Sequence, residues 1–217
     1  TPDGSPPTGG FQNNQARGTG VMVPPDGTRY EGEFRNNVKH GRGTLTYANG
    51  DTYTGEFSDD KITGQGTFTA ADGSFTYTGE FVDGRAHGYG EIQMKDGSHY
   101  EGEFRNDKEH GRGTLTYPDG AVYTGEFADG SRHGRGKMVF ADGSVYEGEF
   151  RDNWISGQGT FEGAGGTEYT GAFQKGRFHG QGTIVRPDAW EYTAEFKNGS
   201  EHGEGTIEYP DGSVYRG

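Results

Sequence analysis

The 217-residue chain contains no cysteine. Disulfides, thiolate metal sites and a cysteine nucleophile are therefore excluded, and a reducing compartment is compatible. Apolar residues are also scarce. A hydrophobic content of 28% and a mean hydropathy of -0.98 leave little material for a conventional two-layer core. No run approaches the ~18 consecutive apolar residues of a membrane helix. The opening Thr1-Pro2-Asp3-Gly4-Ser5 lacks the charged and then apolar regions of a secretion signal. Positive charge is in deficit: 20 Lys and Arg against 33 Asp and Glu give a formal net charge of -13. That balance opposes sequence-independent binding to nucleic acid and to anionic lipid.

What the chain does have is 43 Gly, 14 Phe and 13 Tyr. Disordered segments carry few aromatics, and here they fall at fixed intervals, so the spacing predicts an ordered repeat. The pentapeptide Tyr-x-Gly-Glu-Phe, or a near variant of it, starts at Tyr30, Tyr53, Tyr77, Tyr100, Tyr123, Tyr146, Tyr169 and Tyr192, at intervals of 23 residues with one of 24. Extending the register backwards makes 7–29 a degenerate first unit, followed by 30–52, 53–76, 77–99, 100–122, 123–145, 146–168, 169–191 and 192–214. Residues 1–6 match the tail of a preceding unit and 215–217 open another, so the chain reads as an excerpt from a longer array.

Each unit has two runs of period-two alternation. In the first, Tyr30, Gly32 and Phe34 point one way while Glu31, Glu33 and Arg35 point the other; in the second, Gly41, Gly43, Leu45 and Tyr47 alternate with Arg42, Thr44 and Thr46. These are strands. Asn36-Asn37, Asn49-Gly50, Asp119-Gly120 and Asp142-Gly143 lie between runs and tolerate the positive φ of tight turns. The expected fold is all-β: an elongated, single-layer, twisted antiparallel meander of tandem β-hairpins, with no room for helices. Gly32, Gly41 and Gly43 would leave bare backbone for aromatic rings to lie across, a device that buries apolar area without a second layer.

Tyr30-Glu31-Gly32-Glu33-Phe34, His40-Gly41-Arg42-Gly43 and Asn49-Gly50-Asp51 resemble the membrane occupation and recognition nexus, or MORN, repeat. The resemblance covers nearly the whole chain. It implies a β-meander used in scaffolds at cytoskeletal structures, cilia and membrane junctions, and as accessory arrays of some lipid kinases and lysine methyltransferases. Fold transfers well by such a likeness and function poorly. Departures from the pattern occur at Ile62-Thr63, at Trp154-Ile155-Ser156, at the extra residue between Gly73 and Tyr77, at Ala172, at Ala189-Trp190 and at Ala194. Specificity is expected to reside at such exceptions.

Chemistry-bearing residues have a structural reading beside each functional one. His40, His87, His110, His133, His179 and His202 share one repeat position. Copies ~9.5 Å apart are too distant to share one zinc at ~2 Å bond lengths, so a turn or packing role is expected, with metal binding across a dimer left open. The glutamates Glu33, Glu56, Glu80, Glu103, Glu126, Glu149 and Glu195 occupy equivalent environments. Acid–base catalysis needs environments that differ, so this ladder is expected to bond to turn backbone or to neighbouring side chains. Gly41-Arg42-Gly43 has neither a phosphate-loop nor a dinucleotide pattern, and no serine is placed uniquely beside a histidine and an acid. No catalytic residue, cofactor or metal site is expected, and the chain is not read as an enzyme.

The aromatic stripe, represented by Tyr100, Phe104, Tyr123, Phe127, Tyr146 and Phe150, is expected to build the fold and to remain partly open as a partner-binding groove. Trp154, Ile155 and Trp190 are expected recognition residues, because large apolar side chains stand there in place of the lysines and serines of other units. The function expected is a protein-interaction scaffold, cytoplasmic and cytoskeletal or ciliary, holding a partner helix or a second copy as a homodimer. A lipid- or membrane-tethering array is one alternative, although Arg105, Lys108, Arg112, Arg132 and Arg135 are interspersed with acids. A regulatory segment of a larger enzyme is the other.

Overall fold

The structure is a computed structural model that describes residues 8–12, 15–187 and 190–217. Residues 1–6, expected to close a preceding unit, and Ala189 lie outside it. The chain divides into two compact units, Thr1–Lys108 and Glu109–Gly217. In the first, strands run from Thr8–Gln12 to His99–Arg105; in the second, from Lys108–Thr116 to Val214–Arg216. Within each unit every strand pairs antiparallel with its sequence neighbours, which makes an open all-β meander one layer thick. Among the described residues there is no helix.

One hairpin illustrates why the sequence folds this way. Strands Arg29–Arg35 and Val38–Thr46 are joined by Asn36 and Asn37, whose φ angles of 52° and 69° lie in the left-handed region. Two successive positive φ values match the right-handed twist of the flanking strands, and asparagine tolerates them. Asp59-Asp60, Asn106-Asp107 and Asp152-Asn153 do the same in later hairpins. The next hairpin is clasped to this turn: Asp60 donates its N–H to Lys39 O at 3.0 Å, and its carboxylate accepts the Lys39 N–H at 2.8 Å.

Strict alternation fails at one place in each hairpin. Gly32 is opposite Gly43, yet Phe34 is opposite Lys39, so extra backbone is accommodated in a bulge at His40-Gly41. Gly41 has φ 65°, which a side chain would strain. The bulge is the physical reason for the repeated His-Gly, and it swings the Glu33 carboxylate over Gly41 to accept the Arg42 N–H at 2.9 Å.

Candidate protein-interaction face

The glycine-bearing face carries a continuous aromatic packing scheme within each unit. Tyr30 is fully buried, its ring lying across the backbone so that a Cβ added at Gly43 would come within 2.5 Å of it. The phenol donates to Glu33 O at 2.9 Å. Its ring meets Phe34 of its own repeat edge-on at 5.1 Å and Phe57 of the next at 4.9 Å. The scheme recurs from Tyr53 to Phe81 and from Tyr77 to Phe104 in the first unit, and from Tyr123 to Phe150 and Tyr146 to Phe173 in the second. Edge-to-face pairs add to the area they bury, so bare backbone substitutes for a second layer. Burial pushes the phenols of Tyr30, Tyr53, Tyr123 and Tyr146 up to about 12, and for Tyr30 the nearby Glu33 carboxylate adds to the effect.

This packing corrects one expectation. Tyr100, Phe104, Tyr123, Phe127, Tyr146 and Phe150 are all at most 5% exposed, so they are interior and do not themselves line an open groove. A single layer buries them because each tyrosine is covered below by glycine backbone and beside by two phenylalanines. What a partner can reach on this face is the row towards the inter-hairpin loops. There Leu45, Tyr47, Phe68 and Phe75 in the first unit, and Leu115, Tyr117, Phe140 and Phe161 in the second, are half-buried.

At the hairpin-turn end, the residue opposite each phenylalanine rests against the rings and varies from repeat to repeat. It is Lys39, Ile62 and Ala86 in the first unit, and Arg132, Ile155 and Phe178 in the second. Phe178 stacks on Tyr169 at 3.7 Å and 10°. The Arg132 guanidinium lies 5.6–5.8 Å from the rings of Tyr117, Tyr123 and Phe150 and donates to Asn153 O at 2.7 Å. The sequence analysis singled out Ile155, and Ile62 as a departure from the pattern, but not Lys39, Ala86, Arg132 or Phe178 as occupants of the same slot; the available signal was that its chemistry changes between adjacent repeats.

The two tryptophans are placed differently. Trp154 is the first residue of strand Trp154–Glu162, opposite Arg151, rather than part of the turn itself, and is 56% exposed. Trp190 is half-buried, with the Arg186 guanidinium 4.7 Å from its ring and Tyr192 at 6.5 Å.

The repeated polar residues have structural partners. Glu126 accepts the Arg135 N–H at 3.0 Å and Glu149 the Gln158 N–H at 3.1 Å, as Glu33 does for Arg42. His40, His110 and His133 each place Nδ1 3.6–3.9 Å from an aspartate of the following hairpin turn, Asp59, Asp129 and Asp152 respectively. Among the described residues no three His, Asp or Glu side chains cluster so as to hold a metal. On the opposite face, Thr44–Thr54, Thr67–Thr78 and Thr160–Thr170 hydroxyls pair across strands at 3.0–3.1 Å. In the second unit an open depression of about 790 Å³ lies on that face, among Thr124, Arg135, Lys137 and Glu147. Acid, base and hydroxyl are mixed there without a reactive arrangement.

Tyrosine over paired glycines, glutamate over the His-Gly bulge and a two-residue turn recur in register with a family-wide pattern. The MORN repeat pattern matches residues 8–29, 30–52, 53–75, 77–99, 100–122, 123–145, 146–168, 169–189 and 192–214. The chain belongs to the MORN repeat family. No curated protein sequence matches this MORN array significantly. Among solved structures, it is similar to the TCP10 domain of Danio rerio CPAP in complex with a peptide of Danio rerio STIL, at 18% identity over 92% of this chain and 88% of that one, with a TM-score of 0.57. The TCP10 domain of Danio rerio CPAP alone matches at 19% identity over 91% and 92%, with a TM-score of 0.53. At such identities the likeness is one of fold.

Proposed function

We propose that this MORN array is a protein-interaction scaffold, a binding module rather than an enzyme, which holds a partner helix or a second copy of itself along its glycine-bearing face and hairpin-turn rim. The observation that carries this reading is the half-buried row of Tyr47, Phe68 and Phe75 in the first unit and Tyr117, Phe140 and Phe161 in the second. An apolar row of this kind, braced from beneath by a packed ladder, is the sort of surface that partners cover. That the structurally similar TCP10 domain is seen with a peptide supports a protein partner. Ile155 at the rim of this face in the second unit, Trp190 at its loop end and the exposed Trp154, which strand alternation turns to the other side of the same rim, serve as accessory contacts in this reading. A cytoplasmic location at a cytoskeletal or ciliary structure accompanies this reading. A lipid-tethering role is less favoured, because a net charge of -13 opposes anionic headgroups.

The test is selection of helical peptides from a displayed library against the purified chain, with affinities measured by fluorescence anisotropy and self-association by light scattering. Phe68→Ser, Phe140→Ser and Trp154→Lys should each weaken a peptide held at that position, or a dimer, by ~10-fold or more. Peptides that bind all three variants as tightly as the parent, with no self-association to lose, would refute the reading.

A further inference from the structure

We propose that the hairpin-turn rim of the second unit, between Arg151 and Lys197, docks an acidic peptide segment, with Lys175 at its centre and Trp154 as its apolar contact. This rests on the scaffold reading and deepens it by naming the charge of the partner at one part of the rim.

The first residue of the two-residue turn lies at positive φ and is ordinarily asparagine or aspartate. Asp59, Asp83, Asp129 and Asp152 all have φ 49° there. In the seventh full repeat the residue is Lys175, also at 49°. Short polar side chains tolerate this conformation by bonding locally, and lysine has no such device. A residue that breaks a local rule of the fold without a structural return is a candidate for function.

The aspartate at this position normally has a basic partner on the preceding hairpin. Asp59 accepts from Arg35 at 3.2 Å, and Asp83 from Lys61 at 2.8 Å. Where the sixth and seventh full repeats meet, Arg151 stands at the place of Arg35, Trp154 at the place of Lys61, and Lys175 at the place of both aspartates. The backbone clasp between hairpins is kept: Gly176 donates its N–H to Ile155 O at 2.8 Å, as Gly84 does to Ile62 O at 3.0 Å. Lys175 is thus held beside the start of strand Trp154–Glu162, and the attraction found between earlier hairpins is replaced by repulsion from Arg151.

The next turn continues the positive sign. Gly199 donates to Phe178 O at 2.9 Å, and a Cβ added at Gly199 would lie 3.8 Å from Arg177 Cβ, so Arg177 adjoins the turn that follows Lys197. Arg151, Lys175, Arg177 and Lys197 are exposed, and among the described residues none of them has an acidic partner. The acids of these hairpins are engaged or turned elsewhere. Asp152 faces His133 Nδ1 at 3.6 Å, Glu149 accepts the Gln158 N–H, Glu195 is opposite His202, and Glu201 is opposite Phe196 on the aromatic face. Ala172 replaces the ladder glutamate of the hairpin that carries Lys175. Glu162, Glu168 and Glu191 stand at the loop ends of their strands, ~20 Å from the turns and beyond the ~8 Å screening length of physiological salt.

Trp154 is opposite Arg151, and alternation puts both, with Arg177 and Lys197, on the polar side of the rim. Exposed cations around one exposed indole match a segment of carboxylates that carries an apolar side chain. A peptide is favoured over an anionic membrane because a short segment meets only the charge within a screening length. A lipid surface also meets the acids of a chain whose net charge is -13.

The probe is a dye-labelled octapeptide of glutamates flanking a central leucine pair, titrated with the full chain and followed by fluorescence anisotropy. Saturable binding is expected at ~10–100 µM in low salt, weakening as salt rises. Lys175→Asp restores the residue of the other hairpins, so it should raise the melting temperature while weakening the peptide ~10-fold or more. Arg177→Ser should weaken it ~3-fold. Lys61→Ser, in the other unit, should leave it unchanged. Absence of saturable binding by the parent chain, equal binding by Lys175→Asp, or equal binding of a lysine octapeptide with the same leucine pair overturns the acidic partner. Sedimentation of the chain with phosphatidylserine vesicles at physiological salt also overturns it, since the rim would then be a lipid contact. Loss of the acidic peptide in Phe140→Ser with retention in Lys175→Asp would place it on the aromatic row, so the rim can fail while the scaffold reading stands.

Discussion

Ala194 shows what one methyl group does to the aromatic ladder. It stands where other repeats have the first glycine, and it is buried. Its neighbour Tyr192 is only half-buried and lies 6.4 Å from Phe196, where Tyr30 and Phe34 are 5.1 Å apart. Among the described residues Tyr192 also lacks the phenol bond to the carbonyl three residues on that Tyr30, Tyr123 and Tyr146 make. The cause is steric: a Cβ at Gly32 would sit 2.5 Å from both the Tyr30 hydroxyl and Gly43 Cα, and 2.7 Å from Arg42 O. Gly32→Ala should therefore push the Tyr30 ring outward and cost ~2–3 kcal/mol, through a lost buried hydrogen bond and lost ring contact. Ala194→Gly should act in reverse and raise stability by ~1 kcal/mol. Urea midpoints measure both, and a neutral Gly32→Ala would contradict the role assigned to the glycine pair.

At the scale of the hairpin, the feature to explain is the bulge. Fitting extra backbone opposite Gly32 and Phe34 turns the first N–H beyond Gly41 towards the glutamate, and the carboxylate satisfies it. The capped N–H lies at the surface in each hairpin, and this repeated local geometry is why a ladder of identical carboxylates recurs. Ala172 breaks the ladder in the seventh full repeat, and a Cβ added at Gly180 in the facing bulge would meet only the Ala172 Cβ at 3.6 Å. Glu149→Ala should destabilise by ~0.5–1 kcal/mol by removing the carboxylate from the exposed Gln158 N–H, and Ala172→Glu should stabilise by a similar mechanism of opposite sign. Hydrogen exchange at Gln158 and Gln181 reads the effect locally: protection should fall in the first variant and rise in the second. Unchanged exchange at Gln158 in Glu149→Ala would remove the capping role.

Across the whole molecule the repeated phenols couple stability to alkaline pH. Tyr30, Tyr53, Tyr123 and Tyr146 are each pushed up to about 12 by burial, against ~10 for a free phenol. The folded state therefore holds protons that the unfolded chain releases first. The contribution is fully present below pH ~10 and is lost progressively as pH rises through about 12. Because the same group recurs in both units, the losses add, and the chain should unfold between pH ~10 and ~12. Tyrosinate absorbance should rise together with the loss of far-UV circular dichroism. Ionisation of the full tyrosine complement near pH ~10 with the strand signal intact would show that the phenols are not buried as described.

The period, the strands, the two-residue turns and the contact of rings with glycines were legible from sequence, because each is a local consequence of residue type at fixed spacing. The 23-residue interval places Tyr30 and Tyr53 in identical settings, and alternation assigns Gly32 to their face, with no long-range information required. Sequence alone did not show how completely the ladder buries itself. Exposure of Tyr100 or Phe127 depends on a phenylalanine one repeat away and on backbone beneath, neither of which alternation describes. Nor did it show the bulge, since inserting residues on one strand is invisible to a period-two reading until the partner strand is in place.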